Sequence, residues 1–337
     1  MDSGFRLVAE DEFAHAPGPE INFNESVYVN AFDQASGMGG WMRLGNRVNE
    51  RYAELSVVFY LPDGRIAAQF GRPGIADNCG FDAGGLKFEV VEPMHSLRAR
   101  YDGPLMLVEN PDDLRSPAKL FESAPRLEAS IDWKLETVSP LHGGLPLSAD
   151  QPTMYGRDFS LGHFNQHVRA SGHVKIGALE WDFAPGWGWR DHSWGPRWWT
   201  NIVWYRLLLC AFPDGRGFMI HKIADDSNRA RRSGVLLVDG AYHEIADFDL
   251  TVDWTEARDP ARLRVTVITE DGLRAVIHGE ILSLAPLRNR REENGRSLLS
   301  RIAEGHTRFT WDGVVGHGMT EFIERVGKDG GLAGYPL

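Results

Sequence analysis

Apolar and polar residues alternate along most of this chain, which is the period of strands that bury one face. The alternating segments are rich in Val, Ile, Phe, Tyr and Trp, and Asp-Gly or Gly-Gly turns separate many of them, as in antiparallel hairpins. They lie at 26–32, 52–60, 66–70, 86–91, 97–101, 163–176, 201–212, 217–223, 234–238, 263–269, 273–284 and 309–326, with a break at Gly316. Helical periodicity is scarce. The pattern predicts a mainly β protein with antiparallel sheets.

Two hairpins have related sequences. Tyr60-Leu61-Pro62-Asp63-Gly64-Arg65 recurs, about half the chain later, as Ala211-Phe212-Pro213-Asp214-Gly215-Arg216. This spacing predicts two β domains in tandem, at 1–153 and 154–337, each a barrel or curved sheet that limits free edges and encloses an apolar cavity. Residues 110–126 are expected to form an excursion with a short helix that covers the first barrel.

Charge and composition exclude several classes of function. With 36 basic and 47 acidic residues the net charge is -11, so a nucleic-acid partner is not expected. Cys79 and Cys210 lie far apart and outside any CxxC, which predicts neither a disulfide framework nor a zinc knuckle. The longest apolar run, 202–212, contains Arg206 and is too short to cross a bilayer, and the N-terminus has no secretory signal pattern. We therefore expect a cytoplasmic protein without a transmembrane segment.

Candidate functional side chains are most concentrated in a tryptophan-rich stretch. Seven of the eleven tryptophans fall between 181 and 204, around the charged or titratable residues Arg190, Asp191, His192 and Arg197. Buried charges need partners, so these side chains either line a cavity or form structural pairs. Burial beside indole rings raises the pKa of a carboxyl group, whereas an adjacent arginine lowers it, and indole faces stabilise a developing carbocation. A tryptophan-rich plug with a structural Asp–Arg pair is the alternative.

The stretch Gly188-x-Arg190-Asp191-His192-Ser193-Trp194-Gly195 resembles the Gly-x-x-Asp-His-Asn/Ser-Trp-Gly segment of the carotenoid 1,2-hydratase superfamily. This superfamily is also called hydroxyneurosporene synthase-like or AttH-like. Further similar stretches extend the resemblance over most of the chain, and the sequence looks closest to an uncharacterised bacterial branch. They lie at 24–26, 39–45, 163–167, 304–313 and 316–321.

The resemblance implies two lipocalin-like barrels in tandem, a hydrophobic site near their junction and no organic cofactor. It also implies Asp191, His192 and Trp194 as site residues. The superfamily includes hydratases of isoprenoid double bonds, a phytoalexin hydratase and fungal enzymes of pericyclic cyclisation. Carotenoid hydratases carry a Tyr-x-Asp pair further along, where this chain has 219–221 and then Asp225-Asp226. A carotenoid substrate is therefore not expected.

Several further residues are candidates for the lining of the site. On a strand, His163 and His167 share one face but lie about 13 Å apart, too far for one metal ion without a bend. His317 and Glu321 in the last hairpin can close the site. We therefore expect no metal and assign substrate binding to Trp189, Trp194, Trp198, Arg197, His163, His167, Tyr205, His317 and Glu321. No GxGxxG, GxxxxGK[ST] or HExxH motif occurs, so no nucleotide cofactor is expected.

These observations favour a cofactor-independent lyase or isomerase that hydrates, dehydrates or cyclises a hydrophobic isoprenoid or aromatic molecule in a barrel cavity. Asp191 would transfer the proton, His192 would orient it or act as base, and Arg190 would tune the carboxyl group. Two alternatives stay open. One is a non-catalytic, lipocalin-like carrier or sensor of lipophilic ligands. The other is a single-metal hydrolase or lyase that uses His163, His167 and His192.

Overall fold

The computed structural model describes residues 4–148, 150–151, 153, 155–225, 227, 229–293 and 295–336. The chain divides into two compact units that are each built from several segments. Unit 1 consists of Met1–Pro62, Ile66–Leu107 and Ala124–Trp198. Unit 2 consists of Asp63–Arg65, Val108–Ser123 and Trp199–Leu337.

Unit 1 is a 12-stranded sheet with short 3-10 helices at Ala9–Glu12 and Val48–Glu50. Its strands are β1 (Phe5–Arg6), β2 (Phe23–Asp33), β3 (Met38–Arg47), β4 (Tyr52–Tyr60), β5 (Ile66–Gly71), β6 (Phe81–Ala83), β7 (Leu86–Glu92), β8 (Ser96–Val108), β9 (Arg126–Thr137), β10 (His142–Pro146), β11 (Gly162–Ile176) and β12 (Leu179–Pro196). They follow the order β1-β10-β11-β12-β2-β3-β4-β5-β8-β7-β6, and β9 pairs with both β8 and β11. Because β9 links β8 to β11, eight strands form a closed ring.

The side chains that alternate towards the inside of this ring form an apolar core, which includes Val29, Met42, Val57 and Trp133. Burial of this apolar surface stabilises the ring by roughly 25 cal/mol for each Å² removed from water. Two strands approach each other very closely at Gly188 in β12, where a Cβ atom would lie 1.9 Å from the carbonyl oxygen of Asn30 in β2. Only glycine fits at this position.

Unit 2 contains a closed antiparallel barrel in which strands that are neighbours in sequence pair with one another and the last strand pairs with the first. Its strands are β13 (Trp204–Ala211), β14 (Gly217–Ala224), β15 (Ala230–Val238), β16 (Ala241–Trp254), β17 (Pro260–Thr269), β18 (Arg274–Glu293), β19 (Arg296–Trp311) and β20 (Val314–Arg325). Large aromatic side chains, among them Phe212, Phe218, Phe309 and Trp311, pack in its core.

The described residues of unit 2 include three short helices. They are the 3-10 helices Pro111–Arg115 and Trp199–Asn201 and the α-helix α1 (Pro117–Ser123). Arg115 forms an ion pair with Asp259, and so fastens this excursion to the barrel of unit 2. The expected short helix is therefore confirmed, and the segment that carries it, which was expected to cover the first barrel, belongs to unit 2.

The mainly β class is confirmed, while the division of the chain differs from the expectation. The boundary placed between 153 and 154 lies inside unit 1, because β11 and β12 pair with β9 and β2 of the first half of the chain. The break expected at Gly316 lies inside β20, and the turn falls at Asp312-Gly313 instead. Among the described residues, no helix is long and apolar enough to span a bilayer.

Candidate functional site

The tryptophan-rich segment forms the second half of β12, where successive side chains point to opposite faces. Arg190 and His192 lie opposite Val29 and Val27 of β2, which belong to the core of unit 1. Directly opposed residues share a face, so Arg190 and His192 point into the ring and Asp191 points outwards. The sequence places Asp191 and His192 in one site, but alternation along the strand puts their side chains on opposite faces, in two separate sites.

Arg190 is buried and its charge is fully paired. Its guanidinium donates to both carboxylate oxygens of Glu12, at 2.6 and 2.8 Å, and its Nε donates to Gln166 Oε1 at 3.0 Å. It also lies over the ring of Phe164. A two-pronged pair of this kind satisfies both charges and holds the 3-10 helix Ala9–Glu12 against the ring. Arg190 therefore acts inside unit 1, away from Asp191.

His192 takes part in a second buried group, the inner cluster of His15, Glu25 and His192. Glu25 Oε1 lies 2.6 Å from His15 Nδ1 and 3.0 Å from His192 Nε2. Glu25 Oε2 accepts hydrogen bonds from the backbone N–H of His15 at 2.8 Å and from Asn78 Nδ2 at 2.6 Å. The Glu25 side chain is fully buried, so these bonds replace its contact with water.

Aromatic rings enclose the inner cluster. His15 stacks on Trp194 at 3.9 Å between ring centroids, and Phe81 and Phe164 contact the edge or face of His192. Burial alone would raise the pKa of Glu25, but hydrogen bonds from His15 and His192 outweigh it and lower this pKa to about 2. Burial likewise opposes the charged form of His15, yet its bonds to Glu25 and Asp11 raise the pKa of its imidazole. The result is a carboxylate held between two imidazoles.

The outer face of β12 carries a different pair, the outer dyad of Asp191 and His163. The Oδ1 atom of Asp191 lies 4.0 Å from Nε2 of His163, which is buried, whereas 21% of the Asp191 side chain is exposed. Tyr155 stacks on His163 with ring centroids 5.0 Å apart. The dyad combines a carboxylate that a ligand can reach with an imidazole that the protein holds in place.

Arg197 follows β12 and is buried near the outer dyad. Its Nη2 donates to Ser193 Oγ at 2.8 Å, and its guanidinium lies over the ring of Phe159. Burial, with a smaller effect of Arg43, lowers the pKa of Arg197 to about 9, although Glu54 and Asp191 favour its charged form. Within the described part of the chain its Nε has no hydrogen-bond partner.

The remaining candidates of unit 1 divide between the two faces. Trp189 and His167 lie opposite each other on the outer face, with rings 4.7 Å apart, and both are buried. Trp194 lies on the inner face and stacks on His15 of the inner cluster. Trp198 is half-buried, and its backbone N–H donates to the carbonyl oxygen of Asp158. Because His192 faces inwards, the set His163, His167 and His192 does not converge on one metal ion.

The other candidates lie on the outward side of the barrel of unit 2. Tyr205 donates a hydrogen bond to Glu321 at 2.6 Å. Glu304 of β19 lies opposite Glu321 of β20. His317 Nδ1 lies 3.0 Å from His306 Nε2, and burial, with a smaller effect of His317, lowers the pKa of His306 to about 3. These residues form a polar group on the barrel of unit 2. Asp226 lies outside the described residues.

Sequence reasoning missed His15, Glu25, Tyr155, Glu304 and His306. The position of Glu25 could have been predicted from the sequence. It lies two and four residues before the inward-facing Val27 and Val29 of β2, so its side chain points to the same face. A charged residue in that register requires buried partners. His15 lies between regular elements, where no periodic pattern indicates which way a side chain points.

Comparison with known proteins identifies the family. Residues 8–326 match the family model described as a domain of unknown function, DUF7064, so the chain belongs to this family. None of the curated proteins is detectably similar in sequence.

Solved structures share the fold at low sequence identity. A candidate AttH protein of Nitrosomonas europaea has 15% identity and a TM-score of 0.59, with 96% of this chain and 98% of that chain covered. CghA with Sch210972 has 9% identity and a TM-score of 0.56, with 96% and 97% covered. A second structure, of CghA, has 10% identity and a TM-score of 0.53 over the same shares of the chains. These similarities confirm an AttH-like, lipocalin-like fold.

Proposed function

We propose that this protein is a cofactor-independent enzyme of the lyase or isomerase type, which hydrates, dehydrates or cyclises a hydrophobic isoprenoid or aromatic molecule. The outer dyad carries the proposal. A partly exposed carboxylate next to a buried imidazole can exchange a proton with a substrate without any cofactor. The neighbouring Tyr155 is partly exposed and supplies aromatic surface.

Each member of the outer dyad has a distinct role. In a dehydration, the Asp191 carboxylate takes a proton from carbon and the protonated His163 imidazole gives one to the departing hydroxyl group. The C–H and C–O bonds break, a C=C bond forms and water leaves. Hydration is the reverse sequence. His163 replaces His192 as the proposed imidazole, because His192 is bound to Glu25 on the opposite face.

Arg197 is the proposed anchor for a polar or anionic end of the substrate. Its charge is buried, and the described residues supply one hydroxyl acceptor at Nη2 and none at Nε. A carboxylate, enolate or hydroxyl oxygen of a ligand would provide the missing acceptor, and hydrogen bonds from a guanidinium to an anion are among the strong ones. The substrate would then combine an apolar body with one polar end.

A solved structure of similar fold is compatible with the proposal that this chain binds a small molecule. CghA, whose fold is similar, has been crystallised with Sch210972. In this chain most side chains that point into each closed ring pack as apolar cores, and the inward-facing Arg190 and His192 are bound to Glu12 and Glu25, so we place the substrate on the outer face of β12 instead of inside a ring.

The test compares Asp191→Asn with Asp182→Asn. Asp182 lies on the same strand and also pairs with a histidine, His173, at 2.9 Å, but this pair is exposed. Both variants and the wild type are incubated with isoprenoid and aromatic alcohols and alkenes, and products that differ by one water or by isomerisation are detected by mass spectrometry. We expect Asp191→Asn to lose at least about 100-fold in rate and Asp182→Asn to keep the wild-type rate.

Equal rates for Asp191→Asn and wild type, with both folded by circular dichroism, would contradict the proposal. A carrier would bind compounds of the panel and convert none of them. A loss of folding in Asp191→Asn would assign this residue a structural role; His163→Gln then tests the same dyad from its other member.

A further inference from the structure

We propose that His15, Glu25 and His192 bind one divalent transition-metal ion such as Zn²⁺, which fastens the segment before β2 to the ring of unit 1. The inner cluster lies on the opposite face of β12 from the outer dyad, so this inference is independent of the proposed reaction. It also differs from the metal set suggested by the sequence, which shares only His192 with it.

The ligand atoms already converge. Glu25 Oε1 lies 2.6 Å from His15 Nδ1 and 3.0 Å from His192 Nε2, and one ligand atom from each residue lies within 4.8 Å of the others. Tetrahedral zinc with bonds of about 2.0–2.1 Å places its ligand atoms roughly 3.3 Å apart. To reach this spacing, the distances from Glu25 Oε1 to His15 Nδ1 and His192 Nε2 would lengthen by about 0.7 and 0.3 Å, and the ligand atoms of the two imidazoles, which lie within 4.8 Å of each other, would move to the same spacing.

The donor set matches such an ion. Two imidazole nitrogens and one carboxylate oxygen form a ligand set that zinc uses widely.

Further contacts orient two of the ligands. Glu25 Oε2 is held by the backbone N–H of His15 and by Asn78, so Oε1 faces the two imidazoles. His15 Nε2 lies 3.3 Å from Asp11 Oδ1, which leaves Nδ1 directed at the cluster. A carboxylate on the second nitrogen of a metal-binding histidine is a common way to fix the tautomer and the ring orientation.

The site would also have an entrance. Glu25 and His192 are almost completely buried, but 22% of the His15 side chain is exposed. The fourth position of the ion can therefore face water on the side of His15. The ion would connect residues from the N-terminal segment, from β2 and from β12, which are distant in sequence.

The experiment uses the full-length chain without a histidine tag. After removal of metal with EDTA, binding of Zn²⁺ is measured by competition with a chromophoric chelator, and binding of Co²⁺ by its visible absorption. We expect one ion per chain, an increase in the melting temperature, and an affinity at least about 100-fold lower in His15→Ala and His192→Gln. His173→Gln, which removes an exposed histidine that also pairs with an aspartate, is the control and should bind as the wild type.

Folded, metal-stripped wild type that binds no Zn²⁺ at about 10 µM would overturn the proposal. Binding that persists unchanged in both His15→Ala and His192→Gln would also overturn it. If His192→Gln does not fold, His15→Ala decides alone, since His15 lies outside the strands. Asp191→Asn should keep its zinc, so the result for the metal and the result for the reaction remain distinguishable.

Discussion

Arg190 and Arg197 lie close together in sequence and are both buried, but their surroundings differ. Arg190 is bound by the carboxylate of Glu12, whereas Arg197 reaches only the hydroxyl group of Ser193 among the described hydrogen-bond partners. In a buried ion pair with good geometry, the attraction between the charges roughly offsets the free energy of removing them from water. A buried charge without a bound carboxylate lacks this attraction and destabilises the folded state. Sites of function commonly carry such a cost.

This difference predicts that the same substitution has unequal effects at the two positions. Arg190→Met should lower the free energy of unfolding by about 3–5 kcal/mol, because the Glu12 carboxylate stays buried without its partner. Arg197→Met should lower it by less than about 1 kcal/mol or raise it, since a buried charge is removed. Urea denaturation measures both. Equal losses in the two variants would refute the distinction, and Glu12→Gln combined with Arg190→Met should recover part of the loss.

The lowered pKa of the buried His306 predicts that the stability of the protein depends on pH. Its pKa is about 3 in the folded protein and near 6.5 when unfolded, so between these values only the unfolded chain binds the proton. Stability should therefore fall as the pH decreases from 6.5 towards 3, by at most about 1.4 kcal/mol per pH unit. His306→Gln should show a smaller loss between pH 7 and pH 5 in urea denaturation. An unchanged pH profile would contradict this explanation.

At the scale of single residues, the sequence predicted which stretch is chemically rich but not which residues act together. It grouped Arg190, Asp191 and His192 by proximity along the chain. The stretch was not predicted as a strand, so alternation was not applied to it. Once β12 is known to be a strand, opposite faces for Asp191 and His192 follow directly.

The strands differ in how well the sequence predicted them. Segments of β-branched and aromatic residues next to Pro-Asp-Gly turns were confirmed, for example β4 and β14. β3 and β12 were missed because glycine in both strands, and proline in β12, are typical of turns. In β3 the glycines serve close packing instead, since a Cβ atom on Gly40 would lie 2.5 Å from the carbonyl oxygen of Val58.

β11 contains a bulge, a shift in register, between Ala170 and Gly172. Addition of one methyl group at Gly172 is therefore predicted to lower the stability of the protein strongly. Gly172 has φ of 141°, and a Cβ atom there would lie 1.9 Å from the carbonyl oxygen of Asp132 in β9. Gly172→Ala should reduce stability by about 1–3 kcal/mol from strain alone and more from the clash. Gly64→Ala, with φ of 89° and no neighbour within 4 Å, is the control for strain without a clash.

Thermal unfolding of the two glycine variants measures this difference. A melting temperature for Gly172→Ala that equals that of Gly64→Ala would show that the close approach of β9 and β11 is not required. A markedly lower one would confirm that the ring of unit 1 depends on this bulge.

At the scale of the whole molecule, the repeated Pro-Asp-Gly hairpins favoured two domains in tandem, and the structure has two units. The order of the segments could not be predicted from that repeat. A hydrophobic period indicates that a strand buries a face but not which strand it pairs with, and pairing of β12 with β2 assigns the tryptophan-rich segment to unit 1.

The proposed function predicts what the intact protein retains on purification. An enzyme must release its product, so solvent extraction of fresh protein followed by mass spectrometry should yield well under one equivalent of any lipophilic compound. One equivalent of a single compound that the protein leaves unchanged would instead indicate a carrier. Any compound that is recovered can then be incubated with the wild type and with Asp191→Asn.

The ring of unit 1 has a consequence for synthesis of the protein. Phe32 in β2 pairs with Trp187 in β12, so the ring cannot close until well over half of the chain has left the ribosome. Contacts between such distant residues form slowly because a long loop must first be closed. Until then, the free edge and apolar inner face of β2 remain open to wrong partners. The nascent chain is therefore expected to need protection by chaperones until β12 has been made.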